Sequence, residues 1–323
     1  MFSINGTISL GDVVAFTQYS RQFTQPIVQT ANIVNILQST AASAERVFEI
    51  LDAAEEEPDA PDAVELANPE GRVSFQHVRF GYREDKILIS DMNIDVKPGQ
   101  TVAIVGPTGA GKTTLVNLIM RFYDVDAGAI LVDGVDAAGA PFRERDIREI
   151  TRSSLRRRIG MVLQDTWLFG GTVRENIAYA QPDATEEEVV AAAKAAHAHS
   201  FIKRLPQGYD TVLDTAGGSL SAGQRQLLTI ARAMLSDPDI LVLDEATSSI
   251  DTLTEQRVTR AFAKLARGRT SFVIAHRLST IRDADLIIVM NEGHVVEQGN
   301  HRELLEKGGF YARLYQSQFA AAE

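Results

Sequence analysis

The stretch Gly106-Pro107-Thr108-Gly109-Ala110-Gly111-Lys112-Thr113-Thr114 decides how this chain is read. It has the Gly-x-x-x-x-Gly-Lys-Thr spacing of a phosphate-binding loop. Its glycines let the backbone wrap closely enough to aim several N–H groups at one anion. The helix expected to open at Thr113 adds a dipole that favours the same negative charge. In such a loop Lys112 reaches the β- and γ-phosphates and the Thr113 hydroxyl holds Mg²⁺. The flanks agree: residues 101–105 (TVAIV) read as a short apolar strand and residues 115–121 (LVNLIMR) as a helix.

Upstream of the loop, residues 73–80 (VSFQHVRF) alternate with period two, and residues 87–89 and 92–96 continue the strand pattern to the Pro98-Gly99 turn. These segments predict a small antiparallel sheet beside the loop. Tyr82 falls in the turn after the first strand, where its ring could stack on a base or pack within a hairpin. Downstream, residues 129–132 form a short strand ending at Asp133-Gly134. The arginine-rich stretch 143–158 reads as a solvated, salt-bridged helix face rather than a nucleic-acid patch. Residues 159–163 are the next strand, with Gln164 at its end, the place where open α/β sheets put ligands.

Residues 186–198 are helical by propensity, and His197 and His199, two apart, do not share a helix face, which argues against a metal site. After Gly217-Gly218, the pentapeptide Leu220-Ser221-Ala222-Gly223-Gln224 opens a helix over 225–235. Ser221 suits its N-cap, giving a second helix start that faces an anion. Residues 240–243 (ILVL) are a buried strand of the parallel type that ends in Asp244-Glu245. Two carboxylates at a strand end, in a chain with a phosphate loop, suggest Mg²⁺ coordination and water activation. Residues 272–275 form another such strand, ending at His276. Residues 286–290 and 294–297 predict a hairpin around Asn291-Glu292-Gly293.

Composition bounds these readings. The 323 residues suffice for one large domain or two, with 45% hydrophobic and 23% charged residues, as in ordinary folded proteins. A net charge of −11 argues against a nucleic-acid surface, and the lack of cysteine excludes disulfides and thiolate metal sites. No signal-peptide pattern opens the chain. In its first fifty residues, Val13, Phe16, Tyr19, Phe23, Ile27, Ile33, Ile36 and Leu37 recur at helical spacing. Arg21, Gln22, Gln25, Gln29, Asn32 and Asn35 interrupt any apolar run long enough to span a bilayer. The pattern predicts a long amphipathic helix packed on partner helices, kinked at Pro26. Residues 52–69, acidic and carrying Pro58, Pro61 and Pro69, read as an extended, solvated linker.

In this order and spacing the motifs closely resemble the ATP-binding cassette (ABC) transporters of the exporter type, over essentially the whole chain. The loop 106–114 matches the family's Walker A motif, residues 220–224 its signature, and residues 240–245 Walker B with the catalytic glutamate. Gln164 is similar to the Q-loop glutamine, Ser249-Ile250-Asp251 to the D-loop, His276 to the switch histidine and Tyr82 to the adenine-stacking aromatic. The resemblance implies an α/β fold of the P-loop NTPase class: a parallel-sheet core, a small antiparallel β-subdomain and a helical subdomain. It divides the chain into a last transmembrane-type helix with a cytoplasmic extension (1–51), an acidic linker (52–70) and a nucleotide-binding domain (71–323).

The same resemblance implies ATP hydrolysis driving export of an unidentified substrate through a head-to-tail nucleotide-sandwich dimer. ATP would be held by Tyr82, Gly106, Thr108, Gly109, Ala110, Gly111, Lys112, Thr113 and Thr114 of one subunit, capped by Ser221, Gly223, Gln224 and Asp251 of the other. Thr113, Gln164 and Asp244 would hold Mg²⁺. Glu245 would act on the attacking water, with His276, Lys112 and Gln164 also catalytic. The implied partners are a second nucleotide-binding domain, in a homodimer or a heterodimer, and the transmembrane helices missing from this chain. The expected place is the cell membrane, with this domain on the cytoplasmic side and no nucleic-acid partner. The alternatives are an ATP-binding regulatory cassette and a soluble, non-transport ABC ATPase. Two departures stand out. Residues 137–146 are inserted where relatives run straight on, and are expected to form a surface loop. Thr215 and Ala216 stand where many exporters carry charge.

Overall fold

The computed structural model describes residues 9–53, 55–83, 85–163, 166–213, 220–244, 251–275 and 278–318. The chain divides into two compact units, residues 1–58 and 59–323. The first is a single helix, α1 (Leu10–Leu51). Ser9 and Asp12 form a capping box at its start, and Pro26 lies inside it. None of its residues is buried, and Phe16, Tyr19, Phe23, Ile27 and Leu37 are more than half exposed. Among the described residues, no helix is long and apolar enough to cross a membrane.

The second unit is built on two larger sheets. Its strands are β1 (Val73–Phe80), β2 (Ile89–Val96), β3 (Thr101–Val105), β4 (Ala127–Val135), β5 (Pro141–Asp146), β6 (Ile159–Val162), β7 (Gly171–Thr172), β8 (Val212–Leu213), β9 (Ile240–Asp244), β10 (Thr270–Ile274), β11 (Leu286–Asn291) and β12 (His294–Gly299). Its helices are α2 (Lys112–Ile119), α3 (Arg152–Arg157), α4 (Val173–Ile177), α5 (Glu186–Ala195), α6 (His199–Ile202), α7 (Ala222–Ser236), α8 (Thr252–Ala266), α9 (Leu278–Arg282), α10 (His301–Lys307) and α11 (Phe310–Gln318). The antiparallel sheet has the order β2-β1-β4-β5. The larger one runs β12-β11-β3-β10-β9-β6, with β11, β3, β10, β9 and β6 parallel and only β12 antiparallel.

Strand periodicity explains the layering. In β3, Val102 and Ile104 point to a core shared with α2 and the antiparallel sheet. Ala103 and Val105 point to the opposite face, under α10 and α11. Strand β9 divides the same way: Ile240 and Val242 join the first core, while Leu241 and Leu243 join a third one formed with α4, α5, α7 and α8. A strand with both faces covered has no polar side to show, and this is why residues 102–105 and 240–243 read as unbroken apolar runs. In β1 the alternation is broken. A register shift beside His77, whose φ is +49°, keeps Val78 and Phe80 buried after two exposed residues.

Four local expectations are corrected. Residues 141–146 of the insertion are not a surface loop but the edge strand β5, whose polar sequence suits a strand partly open to water. The arginine-rich stretch is not one solvated helix: it runs through β5, a 3₁₀ turn at Ile147–Glu149 and α3, and Arg152 is buried. The second half of the acidic segment is extended but not solvated. Leu66 is 3% exposed, and the Val64, Leu66 and Ala67 N–H groups donate to Glu149 O, Ser154 Oγ and Val135 O. Asp59 sits between Arg121 and Arg152. The helix expected over 186–198 stops at Ala195, and the chain restarts as α6 after His197, whose φ is +58°.

Candidate functional site

The carboxyl ends of β3 and β9 lie on the same edge of the parallel sheet, separated only by β10. Strand β3 is also where the chain order reverses, with β10 on one side and β11 on the other, which is where α/β sheets open a crevice. The loop 106–111 leaves β3 here and turns into α2. Gly106 has a φ of +153°, and a Cβ there would run into the Met290 carbonyl of β11. Gly111, the N-cap residue of α2, has a φ of +100°. Both positions demand glycine, and they set the loop tight against the end of the sheet. Gly293 N–H, in the β11–β12 turn, donates to Ala110 O at 3.0 Å and supports the loop from behind.

No side chain caps α2, so the N–H groups of its first turn and its dipole face outward from the sheet edge. Lys112 Nζ lies over the loop and donates to Gly106 O (2.8 Å) and Pro107 O (2.9 Å). Burial holds the Lys112 ammonium below the usual lysine range, while the nearby Asp244 carboxylate opposes that shift. The loop lysine and the Asp244 carboxylate thus lie at the same edge of the parallel sheet, close enough for the carboxylate to favour the charged lysine. Thr113 is exposed and Asp244 half-buried. A cavity of about 300 Å³ lies at the loop, lined by Gly106, Thr108, Lys112, Ala275, Tyr311 and Tyr315 among others. A larger cavity of about 790 Å³, lined by Arg156, Arg157, Trp167 and Arg232, holds none of the loop residues.

Tyr82 is half exposed and stands beside α2. Its hydroxyl is 3.0 Å from Thr114 Oγ1 and accepts from Asn117 Nδ2 at 3.3 Å. The packing reading is met, since the ring lies in T-shaped contact with Phe80 and Tyr123, and the residue stays 49% exposed. Asn117, Tyr123, Tyr311 and Tyr315 were not singled out in the sequence. For Asn117 the signal was available: it lies three residues after Thr114 and shares its helix face.

Ser221 caps α7. Its hydroxyl accepts from Gln224 N at 3.3 Å, and Gln224 Oε1 accepts from Ser221 N at 2.9 Å. Gly223 is buried in the first turn. Asp251 caps α8 by accepting from Thr254 N, which holds its carboxyl below the usual range. Among the described residues, no hydrogen bond or ion pair joins 220–224 to the loop 106–114. Gln164, Glu245, Ser249, Ile250 and His276, with Thr215 and Ala216, lie outside the described residues.

Comparison with known proteins agrees with this geometry. Residues 89–248 match the ABC transporter family. The chain is 56% identical over 309 residues to a fatty acid ABC transporter ATP-binding/permease protein of Mycobacterium bovis, covering 96% of this chain and 47% of that protein. It is 47% identical over 315 residues to an ATP-dependent lipid A-core flippase of Desulfotalea psychrophila, covering 98% of this chain and 53% of that one. Among solved structures, a bacterial Atm1-family ABC exporter with ATP bound superimposes with a TM-score of 0.75 at 39% identity, covering 98% of this chain and 54% of its own. The chain thus spans about half the length of the relatives it matches. This chain belongs to the ABC transporter family and carries that family's nucleotide-binding domain.

Proposed function

We propose that this chain is the motor part of an exporter that hydrolyses ATP. The observation that carries the reading is the glycine loop turning into an uncapped helix start, with Lys112 folded over it, at the sheet edge where β9 ends in Asp244. The loop N–H groups and Lys112 bind the β- and γ-phosphates, and the half-exposed Tyr82 ring offers a wall for the base. The Thr113 hydroxyl and the Asp244 carboxylate are hard oxygen donors of the kind Mg²⁺ takes. When bound, Mg²⁺ neutralises charge on the phosphates. Glu245 orients or deprotonates the attacking water, Gln164 would join Thr113 and Asp244 in holding Mg²⁺, His276 contacts the γ-phosphate, and positioning supplies most of the rate.

Ser221 and Gly223 cap the nucleotide of a second subunit. On this reading the site is completed in trans, by residues 220–224 of the second subunit. Helix α1 extends the membrane part, its exposed apolar residues covered by the transporter's transmembrane helices, and the nucleotide-binding domain lies on the cytoplasmic side. The names of two relatives make fatty acids and lipid A-like amphiphiles the first substrates to test.

The experiment is ATP turnover by the full-length protein in lipid, with and without such amphiphiles. Glu245→Gln is expected to cut turnover by at least about 100-fold while ATP remains bound. Turnover near the wild-type rate in that variant would remove Glu245 from the water-activating role.

A further inference from the structure

Tyr82 is fixed from three sides. The Phe80 ring meets it at 5.1 Å and 82°, the Tyr123 ring meets it at 5.1 Å and 88°, and its hydroxyl is tied to Thr114 and Asn117 of α2. Phe80 and Tyr123 also touch each other, at 5.6 Å, so the three rings form a closed cluster. Phe80 is buried, and its place is explained by the core of the antiparallel sheet. Tyr123 is not: it is 46% exposed and follows the end of α2 by four residues. Tyr82 stays 49% exposed despite these edge-to-face contacts, so Tyr123 steadies the ring while part of it remains open to a base.

We infer that Tyr123 and Asn117 are positioning residues for nucleotide-base binding, holding the Tyr82 ring at a fixed angle to the phosphate loop. The inference rests on the nucleotide-site reading above. Tyr82 belongs to the strand–turn side of the site and Thr114 to the phosphate-loop helix. The Tyr82–Thr114 contact and the Asn117 bond therefore fasten the base wall to the phosphate cradle. With the wall fixed beforehand, a nucleotide does not have to order a loose aromatic side chain on binding. Removing the support should weaken the base contact alone. The phosphate contacts of Lys112 and the α2 N-terminus do not pass through Tyr123.

The test separates base from phosphate with two ligands: Mg²⁺-ATP and Mg²⁺-tripolyphosphate, which has no base. Binding is measured by calorimetry on the full-length protein. For Tyr123→Leu the ATP dissociation constant should rise by about two- to tenfold, the range expected from losing one aromatic pair. Its tripolyphosphate constant should stay within about twofold of wild type, and Tyr123→Phe should restore ATP binding. Asn117→Leu should show the same split. An unchanged ATP constant in Tyr123→Leu overturns the inference, and so does an equal loss for both ligands, which would mark general damage. If the wild-type protein binds neither ligand, the nucleotide-site reading itself falls, an outcome distinct from both.

Discussion

Replacing Asp59 by alanine tests whether the acidic segment before the nucleotide-binding domain is held or free. One Asp59 carboxylate accepts the Arg152 N–H at 3.1 and 3.2 Å and pairs with Arg152 Nη1 at 3.2 Å and Arg121 Nη1 at 3.4 Å. The two guanidinium side chains are 10% and 4% exposed, so they cannot turn to water when the carboxylate goes. Removing one partner of a buried ion pair costs about 3–5 kcal/mol. Two features reduce that figure here. Asp59 is itself 31% exposed, so water can replace part of it, and Asp124 still pairs with Arg121 and Arg152 at 2.8 Å each. A loss of about 2–3 kcal/mol follows, a large share of the ordinary ~5–15 kcal/mol of folding stability.

In a domain of this size that loss lowers Tm by roughly 5–10 °C. Thermal unfolding of the full chain, with Asp62→Ala as the control at an exposed linker position, gives the comparison. Asp59→Asn keeps an acceptor for the Arg152 N–H but loses the charge, and should fall between alanine and wild type. Were Asp59→Ala to melt within 1 °C of Asp62→Ala, the segment would be behaving as the solvated linker its composition suggests, and the ion network would contribute nothing measurable.

Three further perturbations probe the site and its supports. Gly106→Ala forces a side chain into a φ of +153° and against the Met290 carbonyl, so Tm should drop and Mg²⁺-ATP affinity should fall at least tenfold; calorimetric binding equal to wild type would refute the tight-loop argument. Asp133 is held above the usual carboxyl range chiefly by burial, against the Gly71 and Arg72 N–H groups it accepts from. The folded state therefore binds this proton more tightly than the unfolded one, and stability falls as pH rises from about 3.8 through the raised value. Asp133→Asn should be at least as stable as wild type at pH 7 and lose that advantage below about pH 4; urea melts at the two pH values decide it. Ser221→Arg should abolish ATP turnover by a homodimer while leaving Mg²⁺-ATP binding to the isolated subunit's loop intact, and full turnover would exclude a site completed in trans.

Local chemistry explains what was legible in the sequence. The phosphate loop is contiguous, and its glycines, lysine and helix start are required by backbone geometry within nine residues. The parallel strands were legible because burial on both faces leaves an unbroken apolar run, as in residues 240–243. The hairpin around Asn291-Glu292-Gly293 was legible because turn residues punctuate it, and it forms as β11 and β12. Long-range pairing was not legible. Asp59 meets Arg152 ninety-three positions away, and nothing in an acidic, proline-containing stretch announces that. Strand β5 was missed because PFRERD has no apolar alternation; its ladder with β4 is made by backbone, at an edge where charge is tolerated. Tyr123 was missed because its contacts depend on a tertiary cluster with Phe80 and Tyr82.

The starts of α2 and α7 are built differently, and on the proposed function the difference bears on the order of events. Helix α2 begins at a glycine with no side-chain cap, so the N–H donors of its first turn have everything to gain from an anion. Helix α7 begins with a reciprocal capping box in which Ser221 and Gln224 already satisfy two of its first donors. A capped start is stable while exposed and gains less from phosphate than an uncapped one. On the dimer reading, ATP therefore seats first on Lys112 and the α2 loop. The α7 start of the second subunit closes on it afterwards, exchanging the Ser221–Gln224 contact for the γ-phosphate. Binding then belongs mainly to one subunit and closure to the other. This is why Ser221→Arg is expected to separate nucleotide affinity from turnover, whereas Gly106→Ala is expected to damage affinity itself.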